Sequence, residues 1–275
     1  MTTFPRLEPL GFDPTIPNKA RIYDYFVGGK DNFAADREAA RRALEIAPEL
    51  PMMCREARRF LGRVVRYLAA QGVRQYIDIG CGLPTQGNVH EIAQAAAPGS
   101  RVVYVDNDPV VVAHARALLD DGEHTAVIEA DMRTPDQILG HPRLRDLIDL
   151  DQPVAVLLLF TLVFIPEDEL ASRIVARFRD AIAPGGYVAI GDSVSDPRPK
   201  ATAELADVYQ SSGAVSGHAH RHQLRTKADI ERLFGGMPLV APGVTYISQW
   251  RPDAGQHILD PRAVWSVGGI ARKEA

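Results

Sequence analysis

The reading of this chain turns on Asp78–Asn88, DIGCGLPTQGN, which is entered from Arg74–Ile77, RQYI, the inner end of an apolar strand. A glycine-rich turn after a strand commonly cradles a ligand, either a dinucleotide pyrophosphate or a nucleoside without phosphate. In the dinucleotide fingerprint three glycines allow a tight turn, close approach to the pyrophosphate and close helix packing. Gly80 and Gly82 fill the first two places, the third falls on Thr85, and Pro84 and Gly87 disturb the spacing. Asp78 weighs more. It stands just before the turn, where a carboxylate repels a pyrophosphate and attracts an ammonium group or another cation.

From Val73 onward, short apolar runs alternate with amphipathic ones: RQYIDIG, VHEIAQAAA, RVVYVD, PVVVAHARALL and TAVIEAD. Short helical pieces follow to about Leu150, then PVAVLLLF, EDELASRIVARFRDAI and YVAIGD. The alternation predicts βαβ units and a parallel sheet, with five strands apolar enough to be buried on both faces. Beyond Asp192, SVSDPRPK reads as a loop, 201–211 as a helix, 226–234 as a helix capped by Thr226, and 244–250 and 262–270 as late strands. Before Val73, residues 18–27, 34–46 and 52–70 have helical periodicity, and VGGKDN at 27–32 breaks the first from the second. The expected organisation is a helical extension or lid over residues 1–72 on an α/β body over residues 73–275.

Two further acids end strands. Asp106 closes RVVYVD, where an acid in a βαβ unit accepts hydrogen bonds from ribose hydroxyls. Asp131 ends TAVIEAD and can accept from an exocyclic adenine amine. In a parallel sheet all three acids face one crevice. Singly, each has a local alternative: a turn cap for Asp78, a cap on the helix from Pro109 for Asp106, and a cap near Pro135 for Asp131. Jointly, an ammonium, a ribose and an adenine without phosphate describe S-adenosylmethionine better than NAD.

The totals narrow the partners. At 275 residues the chain suits one large domain or a domain with an appendage. A net charge of -4 lacks the basic footprint of a protein that grips nucleic-acid phosphates, so no nucleic-acid partner is expected. Arg55, Arg58, Arg59, Arg63 and Arg66 recur at helical spacing, but Glu56 interrupts them, and the stripe reads as a solvated helix face. Two cysteines, Cys54 and Cys81, make neither a disulfide framework nor a thiolate zinc site. With no secretory pattern in MTTFPRLEPLGFDPT, a cytoplasmic location is expected. The longest apolar run, VAVLLLFTLVFI at 154–165, is shorter than the about 20 residues of a membrane helix, so no membrane partner is expected.

DIGCG, VDNDP and EADMR resemble the first three motifs of class I S-adenosylmethionine-dependent methyltransferases. More specifically, ARIYDYFVGGKDNFAADREAA, DIGCGLPTQGNVHEIAQ and VVYVDNDPVVVAHARALL are similar to a family of S-adenosyl methyltransferases once known as domain of unknown function 574. The likeness runs from about Asn18 to Lys273. It implies an α/β fold with a Rossmann-like sheet of seven strands, mostly parallel with one reversed at the edge, and S-adenosyl-L-methionine as cofactor. Carried over by position, Gly80, Cys81 and Gly82 would pass the methionine part and Asp106 with Asn107 the ribose. Asp131 with Met132 would meet the adenine, and Phe160 would end the fourth strand beside the reacting methyl. Relatives often carry His where this chain has Val163 in LVFIPED, so a base at that place is missing here.

Methyl transfer is an in-line displacement that needs proximity, alignment and a dry pocket rather than a covalent nucleophile. Aromatic faces favour a sulfonium, which makes Tyr23, Tyr25, Phe26, Phe33 and Phe160 candidates for the wall near the methyl, with core packing as the alternative. Gly28 and Gly29 permit a lid hinge or, equally, a helix C-cap. HAHRH at 218–222 reads as a polar loop rather than a metal site, with one of His218, His220 and His222 open as a general base. No Asn-Pro-Pro-Tyr follows the fourth strand and no Pro-Cys pair exists, which leaves a small-molecule acceptor methylated on oxygen or nitrogen. Two other readings stay open: a non-catalytic S-adenosylmethionine-binding regulator, and an NAD-dependent reductase that lacks the third glycine.

Overall fold

Alternate residues of the central strands point to opposite faces, and this sorts the chain into three layers. The computed structural model describes residues 12–85, 87–214 and 223–274. Three helices lead, α1 (Lys19–Val27), α2 (Ala34–Ile46) and α3 (Leu50–Ala70). Then come β1 (Gln75–Ile79), α4 (Val89–Ala96), β2 (Arg101–Asp106), α5 (Pro109–Leu118), β3 (Thr125–Glu129), α6 (Pro135–Leu139), α7 (Pro142–Leu147) and β4 (Val154–Leu159). The chain continues through α8 (Asp168–Ala181), β5 (Tyr187–Ser193), α9 (Pro199–Ser212), α10 (Lys227–Leu233), β6 (Thr245–Tyr246) and β7 (Ser266–Arg272).

The sheet order is β3-β2-β1-β4-β5-β7-β6. β1 to β5 run parallel, while β7 is antiparallel to β5 and β6 to β7. Tyr76, Tyr104 and Leu157 pack with Phe60, Val64 and Leu68 on the face covered by the N-terminal helices, α4, α5 and α9. Ile77, Val103 and Val156 pack with Ile138, Ile174 and Phe178 on the other face, under α6, α7, α8 and α10. Direction along the sheet reverses between β1 and β4, the switch point at which a crevice opens beyond the strand ends. No helix among the described residues is long and apolar enough to cross a membrane.

Three sequence expectations change. The strand expected over 244–250 is two residues long, because the chain turns at Ile247–Gln249 to present the Ile247 and Trp250 carbonyls to the Arg63 guanidinium at 2.6 and 3.0 Å. The strand expected over 262–270 starts only at Ser266, since the Ala263 and Val264 N–H groups are both drawn onto the Asp260 carbonyl. The arginine stripe is not one solvated face: Arg63 is 3% exposed and pairs with buried Glu56 at 2.9 Å, which locks α3 to the 247–250 turn. The HAHRH stretch lies outside the described residues.

α3 can sit this close only because β7 offers glycine. A Cβ on Gly268 would lie 2.4 Å from Phe60 Cζ, and Phe60 is fully buried. Gly268→Ala should therefore destabilise the protein by about 1–3 kcal/mol in urea unfolding, the usual cost of overpacking. Adding Phe60→Leu should recover part of the loss.

Candidate functional site

The glycine turn is held by its own backbone. Gly80 and Cys81 donate to the Val105 carbonyl at 2.7 and 3.2 Å, and Gly82 donates to Asp106 Oδ2 at 2.9 Å. These three N–H groups are thus committed inside the protein and do not face outward as a pyrophosphate cradle would require. The next helix start is closed as well, because the Glu91 carboxylate accepts from Gly87 and Asn88 N–H at 2.9 Å. Gly80 has φ +72° and no room for a Cβ, which would meet Thr161 Cγ2 at 2.3 Å, whereas a Cβ on Gly82 would meet nothing within 4 Å.

Asp106 ends β2 and accepts a second backbone bond, from Asp108 N–H at 3.0 Å. The cap of α5 is Asp108, which accepts from Val110 and Val111, so Asp106 is not the helix cap. Each Asp106 oxygen keeps a lone pair for a ligand. Asp108 also ties in the prefix, since Asn18 Nδ2 donates to Asp108 Oδ2 at 2.5 Å while Asn18 caps α1. Buried Asp36 accepts from Arg21, Asn18 and Phe33 at 2.7–2.8 Å and fixes α1 against α2. Gly28, at φ +84°, is the left-handed C-cap of α1, and the Asp24 carboxylate fills the space a side chain on Gly29 would need.

Between α1, α3, α9 and the strand ends lies a cavity of about 300 Å³. Of the residues singled out from the sequence, Asp78, Gly80, Cys81, Gly82, Asp106, Phe160, Tyr23 and Phe26 line it. Asn107, Asp131 and Met132 do not. Asn107 Nδ2 reaches Asp131 at 3.4 Å, Asp131 is paired with Arg133, and Met132 lies beside Gly80. Tyr25 packs against the core and Phe33 against Phe12 and Arg21, both away from the cavity. Phe160 adopts φ +61°, a left-handed conformation unusual outside glycine, and its N–H bonds the Gly191 carbonyl at 2.6 Å. Strain of this kind concentrates at functional sites.

The cavity is charged at its edges. Asp78 is 7% exposed, and no donor among the described residues hydrogen-bonds to its carboxyl. Burial pushes it up to about 7, against the Arg58 guanidinium, and Asp106 adds to the rise. Burial also raises Asp106, opposed by its two backbone donors and Lys19. Lys19 sits 4.2 Å over the Phe164 ring, its ammonium lowered by burial despite Asp106 and Asp131 nearby. Burial works on Asp131 too, but the Arg133 hydrogen bonds leave it below its ordinary value. Across the sheet Asp192, the penultimate residue of β5, is pushed up to about 7 by burial, against Arg225 and two backbone donors.

Sequence reasoning missed Lys19, Arg58 and Asp192, all of which line the cavity. Only Asp192 carried a signal: it stands one residue before the end of a parallel strand, close to the place Asp106 takes in β2. Arg58 was set aside with the stripe, yet it donates to the Gly87 carbonyl at 2.8 Å, across the glycine turn.

Residues 7–274 match a family described as S-adenosyl methyltransferase. Among solved structures, a candidate methyltransferase from Thermobifida fusca YX is 42% identical, covers 98% of this chain and 100% of its own, and superposes with a TM-score of 0.88. A domain-of-unknown-function 574 family protein from Streptomyces avermitilis MA-4680 is 38% identical over 95% of this chain and 99% of its own, also at 0.88. An O-methyltransferase family protein from Burkholderia thailandensis, at 14% identity, shares the fold, with a TM-score of 0.51 over 95% of this chain and 65% of its own. No curated protein matches the chain.

A carboxyl whose pKa is higher folded than unfolded binds more protons in the native state, so its contribution to stability is lost as pH rises from about 4 to about 7. Ligand-free wild type should therefore lose stability between pH 5 and 8. Asp78→Asn, which cannot ionise, should lose about 2–3 kcal/mol less over that interval in denaturant titrations.

Proposed function

The chain belongs to the S-adenosyl methyltransferase family, and on that premise we propose that it methylates a hydroxyl or amine of a small, largely apolar acceptor. The observation that carries the reading is the Asp78 carboxyl, buried at the wall of the cavity that Gly82 also lines and without a hydrogen-bond donor among the described residues. Such a group calls for a cation, and the α-ammonium of a methionine moiety is one that can pass over a glycine. S-adenosylmethionine, when bound, supplies a methyl group activated by its sulfonium.

The residues of this chain would divide the work. Asp78 orients the ammonium, with Arg58 near enough to lower the Asp78 carboxyl and to meet the carboxylate at the same end of the ligand. Asp106 accepts the ribose hydroxyls on lone pairs its backbone donors leave free. Asn107, Asp131 and Met132, at the rim beyond Asp106, border the adenine. Phe160, fixed by its bond to Gly191, presents an aromatic ring where β4 ends. Tyr23 and Phe26 of α1 form the roof and exclude water, which strengthens every electrostatic contact beneath them. The committed N–H groups of the glycine turn support this ligand over NAD.

Isothermal titration tests the assignment: S-adenosylhomocysteine should bind, and tighter binding of NAD would overturn it. Affinity should fall as pH drops below about 7, because Asp78 must lose a proton before it can hold an ammonium. Asp106→Ala should weaken binding by about 1.5–3 kcal/mol, the scale of hydrogen bonds to a charged acceptor. Amide exchange in α1 should slow on adding S-adenosylhomocysteine, with β7 changing less. Equal exchange with and without ligand would make α1 a fixed wall rather than a lid.

A further inference from the structure

The cofactor reading occupies one end of the cavity, and the other end has its own chemistry. Asp192, the penultimate residue of β5 and 1% exposed, lines the same cavity as Met53, Leu205, Tyr209 and Trp265. The carboxyl accepts the Ser193 N–H at 3.1 Å and the Val163 N–H, both from backbone. No side-chain donor among the described residues hydrogen-bonds to it. The charge that faces it is Arg225, whose guanidinium is committed to the Leu162 and Ile165 carbonyls at 2.8 Å and to Asp168 at 2.9 Å.

Position and proton affinity both single this group out. Leu159 pairs with Gly191, and Phe160 N–H bonds the Gly191 carbonyl, so Asp192 follows directly on the strand partner of the β4 end. The thiol and phenol groups lining the cavity with it stay neutral near pH 7. Burial pushes the Cys54 thiol up to about 12 and holds the Tyr23 and Tyr209 hydroxyls well above their ordinary value. They can donate hydrogen bonds but cannot take a proton. The Val163 side chain offers no acceptor either.

We propose that Asp192 is the catalytic base of this enzyme, taking the proton from a hydroxyl or amine N–H on an otherwise apolar acceptor. The inference rests on the methyl-transfer reading above. In the step, a lone pair of the acceptor oxygen or nitrogen forms the bond to the methyl carbon. The carbon–sulfur bond breaks with its electron pair left on sulfur, and the acceptor proton passes to the Asp192 carboxylate and then to water. Apolar walls suit the acceptor body, and the one carboxyl that titrates near neutrality in this end suits its single acidic hydrogen.

The test uses phenol, 4-chlorophenol, 4-nitrophenol and benzylamine as acceptors at about pH 8, comparing wild type with Asp192→Asn and scoring S-adenosylhomocysteine formed. Transfer to phenol should fall by about 10²–10⁴ in the variant, the usual contribution of a general base. Transfer to 4-nitrophenol, which is largely ionised beforehand, should fall less than about tenfold, and benzylamine separates an amine-specific site from a hydroxyl-specific one. Equal losses across the phenols, or none, would overturn the proposal, as would a wild type that binds S-adenosylhomocysteine but methylates no probe. Failure to bind S-adenosylhomocysteine in calorimetry is a different result and removes the methyl-transfer reading itself. Infrared spectra of the wild-type complex with S-adenosylhomocysteine give a readout apart from turnover. A protonated-carboxyl band should disappear as pH rises through neutrality and be missing in Asp192→Asn. A wild-type complex without that band overturns the proposal even if the variant fails to fold.

Discussion

One carboxylate holds the site together. Asp106 accepts Gly82 N–H on one oxygen and Asp108 N–H on the other, so the turn after β1 and the turn after β2 share a single anchor. Asp108 then caps α5 and receives Asn18, which caps α1. Asn18 N–H in turn donates to Asp36, the carboxylate that pairs with Arg21. The floor of the cavity and its roof are therefore joined through three acids and one amide. A ligand that hydrogen-bonds Asp106 acts on the same group that positions the start of α1, which gives the roof a physical route to sense occupancy.

Much of the floor was legible because its determinants are local. Short continuous apolar runs alternating with amphipathic segments marked β1 to β5, and an acid or glycine at a parallel strand end has few other uses. The roof was harder to read. Tyr23 and Phe26 are three apart and share one helix face, whereas Tyr25 falls off that face, and aromatic content alone does not give helical phase. The arginines of α3 posed the same problem with larger stakes: Arg63 looks like its exposed neighbours until the 247–250 turn, far along the chain, brings carbonyls to it. Lys19 over Phe164 is likewise a contact between segments that no local pattern links.

The cavity works against the stability of the fold that makes it. Asp78 and Asp192 are both buried, and neither is given a side-chain hydrogen-bond partner among the described residues, an arrangement a protein selected only for stability would replace with apolar groups. Phe160 adds backbone strain at the end of β4. Three costly features thus face one space, and their opposition comes from the well-packed layers on both sides of the sheet.

The position of β7 has a consequence for biosynthesis. It is the last strand of the described chain, yet it lies between β5 and β6, and β6 touches no other strand. It also carries Gly268, the seat of Phe60, and Ser266, part of the cavity wall beside Trp265. On the ribosome, β1 to β5 emerge with the glycine turn and Asp106 complete while α3 still lacks its glycine seat and the cavity lacks the wall of Trp265 and Ser266. The nascent protein therefore spends the time needed to make residues 194–266 with an open sheet edge beside β5, a window in which chaperone contact or strand exchange with a second chain competes with the native partner.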